Sequence, residues 1–162
     1  MTEVKSTPIV RFALLDTALV TMACLIPAAS HLFAVPLYAV NPMLALLLAG
    51  ILFGKDWRNA LLLAVLMPLV SCLLTGMPAA GKMVCMVAEL ATVATMFGWL
   101  SRKWNVLPAV LVSVLAAKGV YYAMKAVVLV PAVLVGTEWW MQLAAVLLWG
   151  GLFAMLYKKF KL

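Results

Sequence analysis

Long apolar stretches alternate with short polar breaks along the whole chain. A helix needs roughly 20 apolar residues to cross the hydrocarbon layer of a bilayer, and the breaks hold the prolines, glycines and charges that favour turns. The pattern predicts an all-α integral membrane protein, a single bundle of six transmembrane helices over residues 1–162. The helices are expected at about residues 12–29, 36–53, 57–75, 82–100, 106–130 and 139–157.

Composition supports this prediction. Hydrophobic residues make up 68% of the 162 positions and charged residues only 10%, which differs strongly from the balance of a soluble domain. Six spans joined by tight loops use almost the whole chain, so no separate soluble domain is expected. The lipid bilayer is therefore the predicted environment.

The basic residues are distributed unevenly among the predicted loops. If six spans place both termini on one side, nine of the 12 lysines and arginines fall on that side. Excess lysine and arginine marks the cytoplasmic side of a membrane protein, so we expect a multi-pass protein of the bacterial inner (cytoplasmic) membrane with both termini in the cytoplasm. Because this segregation accounts for the net charge of +7, no nucleic-acid partner is expected. The nine residues are Lys5, Arg11, Lys55, Arg58, Arg102, Lys103, Lys158, Lys159 and Lys161.

An alternative interpretation of residues 5–30 is a cleaved signal peptide, because small residues at positions 27–30 follow an apolar run. Asp16 lies inside that run, and the charge pattern fits six retained spans. Both observations argue against cleavage.

Charged residues inside the predicted spans are costly and call for a reason. Lys118 and Lys125 are seven residues apart on the fifth span, so they share a helix face with Tyr121 and Tyr122 between them. Lys82 and Glu89 have the same spacing on the fourth span. Both faces are expected to point into the bundle.

The depths of these residues make a Glu89–Lys118 pair geometrically possible. One interpretation is a buried structural ion pair, with Lys82 and Lys125 extending towards the membrane surface. The other is a substrate site, in which Lys125 is the preferred anion partner. Positive charge in such a cavity favours a substrate that carries a carboxylate or a phosphate.

Further polar and aromatic residues are expected around the outer mouth of this cavity, including His31, Tyr38 and Glu138. Aromatic rings suit a flat heterocyclic ligand, although an aromatic belt at the membrane surface explains the tryptophans equally well. The candidate substrate-binding residues are Asn41, Lys82, Glu89, Lys118, Tyr121, Tyr122, Lys125, Trp139, Trp140 and Gln142.

The first span carries small residues four apart, Ala13, Thr17 and Thr21. Such a ridge lets another helix approach closely. It serves either packing within the bundle or the binding of a partner.

The sequence offers little for catalysis or for a cofactor. The cysteines Cys24, Cys72 and Cys85 lie in apolar segments without metal-ligand spacing, and His31 is the only histidine. No GxxxxGK[ST] motif for nucleotide phosphates is present. We expect neither an enzyme nor a resident metal or cofactor.

Two segments carry a resemblance to a known family. They are residues 46–54, LLLAGILFG, and residues 67–78, MPLVSCLLTGMP, with Glu89-Leu90-Ala91 on the following span. The chain resembles the S components of energy-coupling factor (ECF) transporters, six-helix membrane subunits in which a similar Thr-Gly-Met-Pro turn precedes a helix with Glu-Leu-Ala. The motif part covers residues 46–91, and the likeness in length and span number covers the whole chain.

The resemblance implies capture of a vitamin or related small molecule on the outer side, against the fourth to sixth helices. It also implies docking on a transmembrane coupling (T) subunit that is driven by two cytoplasmic ATPase subunits. The family docks through an Ala-xxx-Ala pattern on the first span, where this chain has Ala13, Thr17 and Thr21.

Two other functions are compatible with a small six-span protein. One is a non-transporting structural subunit similar to the cell-shape protein MreD, which predicts no ligand. The other is a stand-alone proton-coupled carrier that uses Glu89 and Lys118 as a relay. Buried polar residues argue against the first, and the lack of a visible inverted repeat argues against the second.

Overall fold

A computed structural model describes residues 8–32, 41–54, 56–128 and 139–159. The described residues form six α-helices and no strand. The helices are α1 (Pro8–Leu32), α2 (Pro42–Gly54), α3 (Trp57–Thr75), α4 (Ala80–Leu100), α5 (Val106–Val128) and α6 (Trp139–Lys159).

Five of these helices, α1 and α3 to α6, are long and apolar enough to cross a membrane. The prediction of an all-α, multi-pass membrane protein is therefore confirmed. Helix α2 has 13 residues and spans about 20 Å at 1.5 Å per residue. The predicted second span began at residue 36, and residues 33–40 lie outside the described residues.

The helix bounds agree with the sequence prediction to within a few residues, and α3 matches it fully. The clearest difference is in α1, which continues to Leu32, whereas it was expected to end near residue 29, with His31 beyond it. That expectation is wrong because transmembrane helices tolerate a proline where neighbouring helices pack around the freed carbonyl group. Pro27 is buried, as is Pro68 in the interior of α3.

Successive helices run in opposite directions. A Cβ atom added at Gly50 of α2 would contact Leu19 of α1 and Leu63 of α3, whereas one at Gly54 would approach Leu15 and Asn59. The contacts of Gly54 involve lower-numbered residues of α1 and α3 than the contacts of Gly50 do. Helix α2 therefore runs antiparallel to both helices. For α4 and α5, the Glu89–Lys118 pair and the proximity of Lys82 to Lys125 give the same relation. For α5 and α6, it follows from the contact of Lys118 with Gln142 and from that of Leu111 with a Cβ atom added at Gly150.

The alternation brings the starts of α1, α3 and α5 and the ends of α2, α4 and α6 to one end of the bundle. We call it the basic end, because the described residues Arg58, Arg102, Lys103, Lys158 and Lys159 lie there. The opposite end, where α2, α4 and α6 begin, is called the far end. The predicted segregation of loop charges is thus reproduced for the described residues.

Helix α2 lies at the centre of the bundle and contacts α1, α3, α4 and α6. Its leucines Leu44, Leu47 and Leu48 are buried. Gly50 permits close packing, because a Cβ atom there would come within 2.6 Å of Leu63 Cδ1. Short length and nearly complete burial make α2 the core around which the longer helices pack.

The turn between α3 and α4 is fixed by hydrogen bonds from the motif residues. Gly76 adopts φ 69°, the left-handed conformation that ends α3. Thr75 Oγ1 accepts a hydrogen bond from Met77 N at 3.2 Å, and Ser71 Oγ donates to Met77 O at 2.8 Å. The Ser-Cys-Leu-Leu-Thr-Gly-Met sequence therefore encodes a rigid turn that sets where α4 begins.

Candidate functional site

A buried ion pair joins α4 and α5 in the interior of the bundle. Lys118 Nζ lies 2.7 Å from Glu89 Oε1, and the two side chains are 11% and 4% exposed, respectively. Glu89 follows Ala80 by nine residues, or about 14 Å along the 21-residue α4, which places the pair near the middle of the helix, slightly towards its far end. The pairing inferred from the sequence is confirmed.

Two amides extend this pair to the neighbouring helices. Asn41 Nδ2 donates a hydrogen bond to Glu89 Oε1 at 3.0 Å, and Lys118 Nζ donates to Gln142 Oε1 at 2.7 Å. Side chains from the start of α2 and from α4, α5 and α6 thus form one polar network. A buried charge is tolerated when its hydrogen-bonding capacity is used in this way.

The backbone conformation of Asn41 and a backbone hydrogen bond to α2 fix the position of this residue. It adopts φ 48°, a left-handed conformation that asparagine tolerates better than most residues. It directly precedes α2, and the backbone N–H of Leu44 donates to Asn41 O at 3.1 Å. Asn41, which directly precedes α2, therefore also contacts the ion pair. Its hydrogen bond to Glu89 joins the start of α2 to α4.

Lys125 lies seven residues beyond Lys118 on α5, nearer the far end by about 10 Å. It is only 7% exposed. Lys125 makes no hydrogen bond or ion pair with the residues that the structure describes. Its charge lies within electrostatic range of Lys82 and of the Cys85 thiol on α4.

The two tyrosines of α5 lie between these lysines. Their rings are 5.5 Å apart in an edge-to-face arrangement, and Lys118 Nζ lies 5.4 Å from the centre of the Tyr121 ring. Both tyrosines are half-buried and within electrostatic range of Glu89. The interior of the far end therefore combines aromatic surface, phenol groups and positive charge.

Several predicted site residues lie outside what the structure describes. Tyr38 and Glu138 belong to undescribed segments, and only the backbones of His31, Trp139 and Trp140 are described. Of the other eight predicted substrate-binding residues, six are joined by direct contacts, and Lys82 and Lys125 lie within electrostatic range of each other. The eight residues are Asn41, Lys82, Glu89, Lys118, Tyr121, Tyr122, Lys125 and Gln142.

The predicted partner-binding residues lie on the outside of the bundle. Ala13, Thr17 and Thr21 are exposed, and each threonine hydroxyl donates to the carbonyl oxygen four residues earlier, at 2.7 and 2.8 Å. Thr17 and Thr21 also line a groove of about 340 Å³ between α1 and α3. Packing inside the bundle does not account for this ridge.

Cys85 lies on α4 between Lys82 and Glu89, within electrostatic range of Lys125. It is fully buried, which agrees with its prediction as an apolar packing residue. The spacing 82, 85 and 89 places it on the same face of α4 as the two charged residues.

Fold and site together define an α-helical, multi-pass membrane protein with a buried polar network in the far half of its helix bundle. Within the described ranges, no group of three or more histidine, cysteine or acidic side chains could hold a metal ion. Comparison of the chain with protein-family models, with curated proteins and with solved structures found no match.

Proposed function

We propose that this chain is the substrate-binding subunit, or S component, of an ECF-type importer in the bacterial inner membrane. It spans the membrane six times with both termini in the cytoplasm, and it captures a vitamin or related small molecule at the far end. Delivery then takes place in a complex with a transmembrane coupling subunit and two ATPase subunits.

The observation that carries this proposal is the grouping of polar and aromatic side chains that joins the start of α2 with α4, α5 and α6. Charges inside a membrane span are costly and are typical of substrate or ion pathways. Small-molecule sites combine apolar and aromatic walls with a few converging polar groups, and this grouping has that composition. A purely structural subunit needs no such concentration at one end.

The exposed ridge on α1 supports the second part of the proposal. Small side chains at Ala13, Thr17 and Thr21 leave the backbone of α1 open to close approach by another helix. We assign this face to the coupling subunit. The α3–α4 turn and the Gly50 contact give the motif residues a structural role that fits the resemblance to S components.

Purification of the chain without any ATPase provides the test. We expect one small molecule to remain bound and to be identified by mass spectrometry after denaturation. Tyr122→Ala and Gln142→Ala should reduce its retention at least tenfold while the protein stays folded, because both remove groups at the site and leave the ion pair intact.

Ser113→Ala is the matched control. Ser113 is also a buried polar residue of α5, but its hydroxyl donates to Ala109 O at 2.7 Å within its own helix. This variant should retain the molecule fully. Absence of any bound or bindable small molecule across water-soluble vitamins and their precursors would contradict capture and favour a structural subunit. Uptake by vesicles that contain this chain alone would favour a stand-alone carrier.

A further inference from the structure

We infer that the captured molecule is an anion with a single negative charge, such as a carboxylate, and that its charged group binds Lys125. This inference rests on the proposed function and names the chemical class of its substrate. It follows from the different surroundings of the two lysines of α5.

The ammonium group of Lys118 already has polar partners within the protein. This group contacts Glu89 Oε1 and Gln142 Oε1, both at 2.7 Å. Binding a substrate anion there would displace a buried carboxylate from its counter-ion, which is strongly unfavourable. The positive charge of Lys118 is therefore not the one that recognises a ligand.

Lys125 is in the opposite situation. It is more than nine-tenths buried, and it has no hydrogen-bond or ion-pair partner in the described part of the chain. Burying an ammonium group without a counter-ion is costly, and Lys82 lies near enough to repel it. A bound anion relieves this cost, so the site is built to gain from binding a negative charge.

The number of buried charges favours a monoanion over a dianion. Glu89 and Lys118 cancel, which leaves the single charge of Lys125 among the buried described residues of the network. A carboxylate balances it, whereas a phosphate monoester carries up to about two charges at neutral pH. Lys82 is exposed, so its charge does not require a buried counter-ion.

The positions along α5 also orient the substrate. Lys125 is one helical turn from Tyr121 and lies on the side of the far end. The anionic group therefore binds nearest the mouth, and the remainder of the molecule extends inwards along Tyr121 and Tyr122.

Thiol labelling tests this inference without knowledge of the ligand. The full chain, with Cys24, Cys72 and Cys85 replaced by alanine, carries Lys82→Cys and is reconstituted in lipid nanodiscs. The rates of modification by a sulfonate-bearing and a trimethylammonium-bearing methanethiosulfonate are then compared. With Lys125 present we expect the anionic reagent to react faster than the cationic one. Lys125→Met should lower the ratio of the anionic to the cationic rate by roughly fivefold or more.

Two controls make the result specific. Lys125→Arg keeps the charge and should keep the ratio, which separates electrostatics from misfolding. Lys103→Cys, at the basic end, should give a ratio that does not respond to Lys125→Met. If Lys125→Met leaves the ratio at the far end unchanged, the inference is overturned.

Bare anions then test the number of charges. At equal ionic strength, acetate should slow the anionic reagent more than inorganic phosphate does, relative to chloride, and only when Lys125 is present. Stronger protection by phosphate would overturn the assignment to a single charge, and no protection by either anion would overturn Lys125 as the binding group. None of these failures contradicts capture of a neutral molecule, which the retention experiment detects separately.

Discussion

The two ends of the bundle hold the same helices together by different means. In the far half, α4 and α6 are linked through α5 by the chain Glu89–Lys118–Gln142. At the basic end they pack directly, with Phe97 and Phe153 edge to face at 5.3 Å and Tyr157 against both. One region depends on specific polar contacts and the other on close packing.

At the basic end, the described residues of α4 and α6 thus pack directly without a buried ion pair between them. Lipid tails are as apolar as leucine, so helices in a membrane associate through close packing and hydrogen bonds. The aromatic contacts at the basic end meet this requirement at no cost of desolvating charges. We propose that the polar residues of the far half serve substrate binding in addition to assembly.

The largest effect is expected from breaking the ion pair on one side. Lys118→Met leaves Glu89 buried without its counter-ion and should lower the free energy of unfolding by about 3 to 5 kcal/mol. Thermal or denaturant unfolding in detergent measures this loss. Adding Glu89→Leu should recover most of it, and a double variant as unstable as Lys118→Met would show that the pair is needed for assembly itself.

Phe97→Ala removes the centre of the aromatic cluster at the basic end. The cost should be about 2 to 3 kcal/mol, below the usual range for a core phenylalanine, because lipid replaces water as the alternative environment. Ligand retention at the far end should persist in the folded fraction. Loss of retention there would show that the two regions are not independent.

One substitution made at two glycines compares a helix-packing position at the basic end with an exposed position of α5. A Cβ atom at Gly98 would lie 2.9 Å from Trp57 Cβ, whereas none of the described atoms lies within 4 Å of one at Gly119. Gly98→Ala should cost about 1 to 2 kcal/mol, and Gly119→Ala should be neutral or stabilise by up to about 1 kcal/mol. Equal effects would contradict the difference in packing.

Ser71→Ala tests the turn that sets the start of α4. Loss of its hydrogen bond to Met77 O should cost about 1 kcal/mol, with a similar or smaller loss of ligand affinity. Unfolding and binding measured on the same preparation give both values. A binding loss without a stability loss would assign Ser71 to the site itself.

The sequence predicted the elements that depend on local patterns. Apolar length placed α3 at Trp57–Thr75. The spacing of seven between Lys82 and Glu89 and between Lys118 and Lys125 made a Glu89–Lys118 pair geometrically possible, and the structure contains that pair. The orientation inferred from the loop charges stays a prediction.

Contacts between segments that lie far apart in the sequence were harder to predict from it. Asn41 and Gln142 were recognised as site residues, but their hydrogen bonds to Glu89 and Lys118 depend on how α2 and α6 pack against α4 and α5. The continuation of α1 beyond residue 29 to Leu32 was also missed, because a proline near a helix end indicates a break unless its buried surroundings are known. The two hydrogen bonds and the end of α1 all depend on tertiary packing.

The most direct test of the central claim is the free energy of unfolding of the ligand-free Lys125→Met variant beside that of Lys118→Met. The two lysines lie on one helix and are similarly buried. A difference in stability between the two variants therefore reports the difference in the polar partners of the two lysines. We expect Lys118→Met to be strongly destabilised and Lys125→Met to be as stable as the unaltered protein or more stable. A loss at Lys125 equal to that at Lys118 would mean that both lysines serve the structure, and it would contradict a site kept for an anionic substrate.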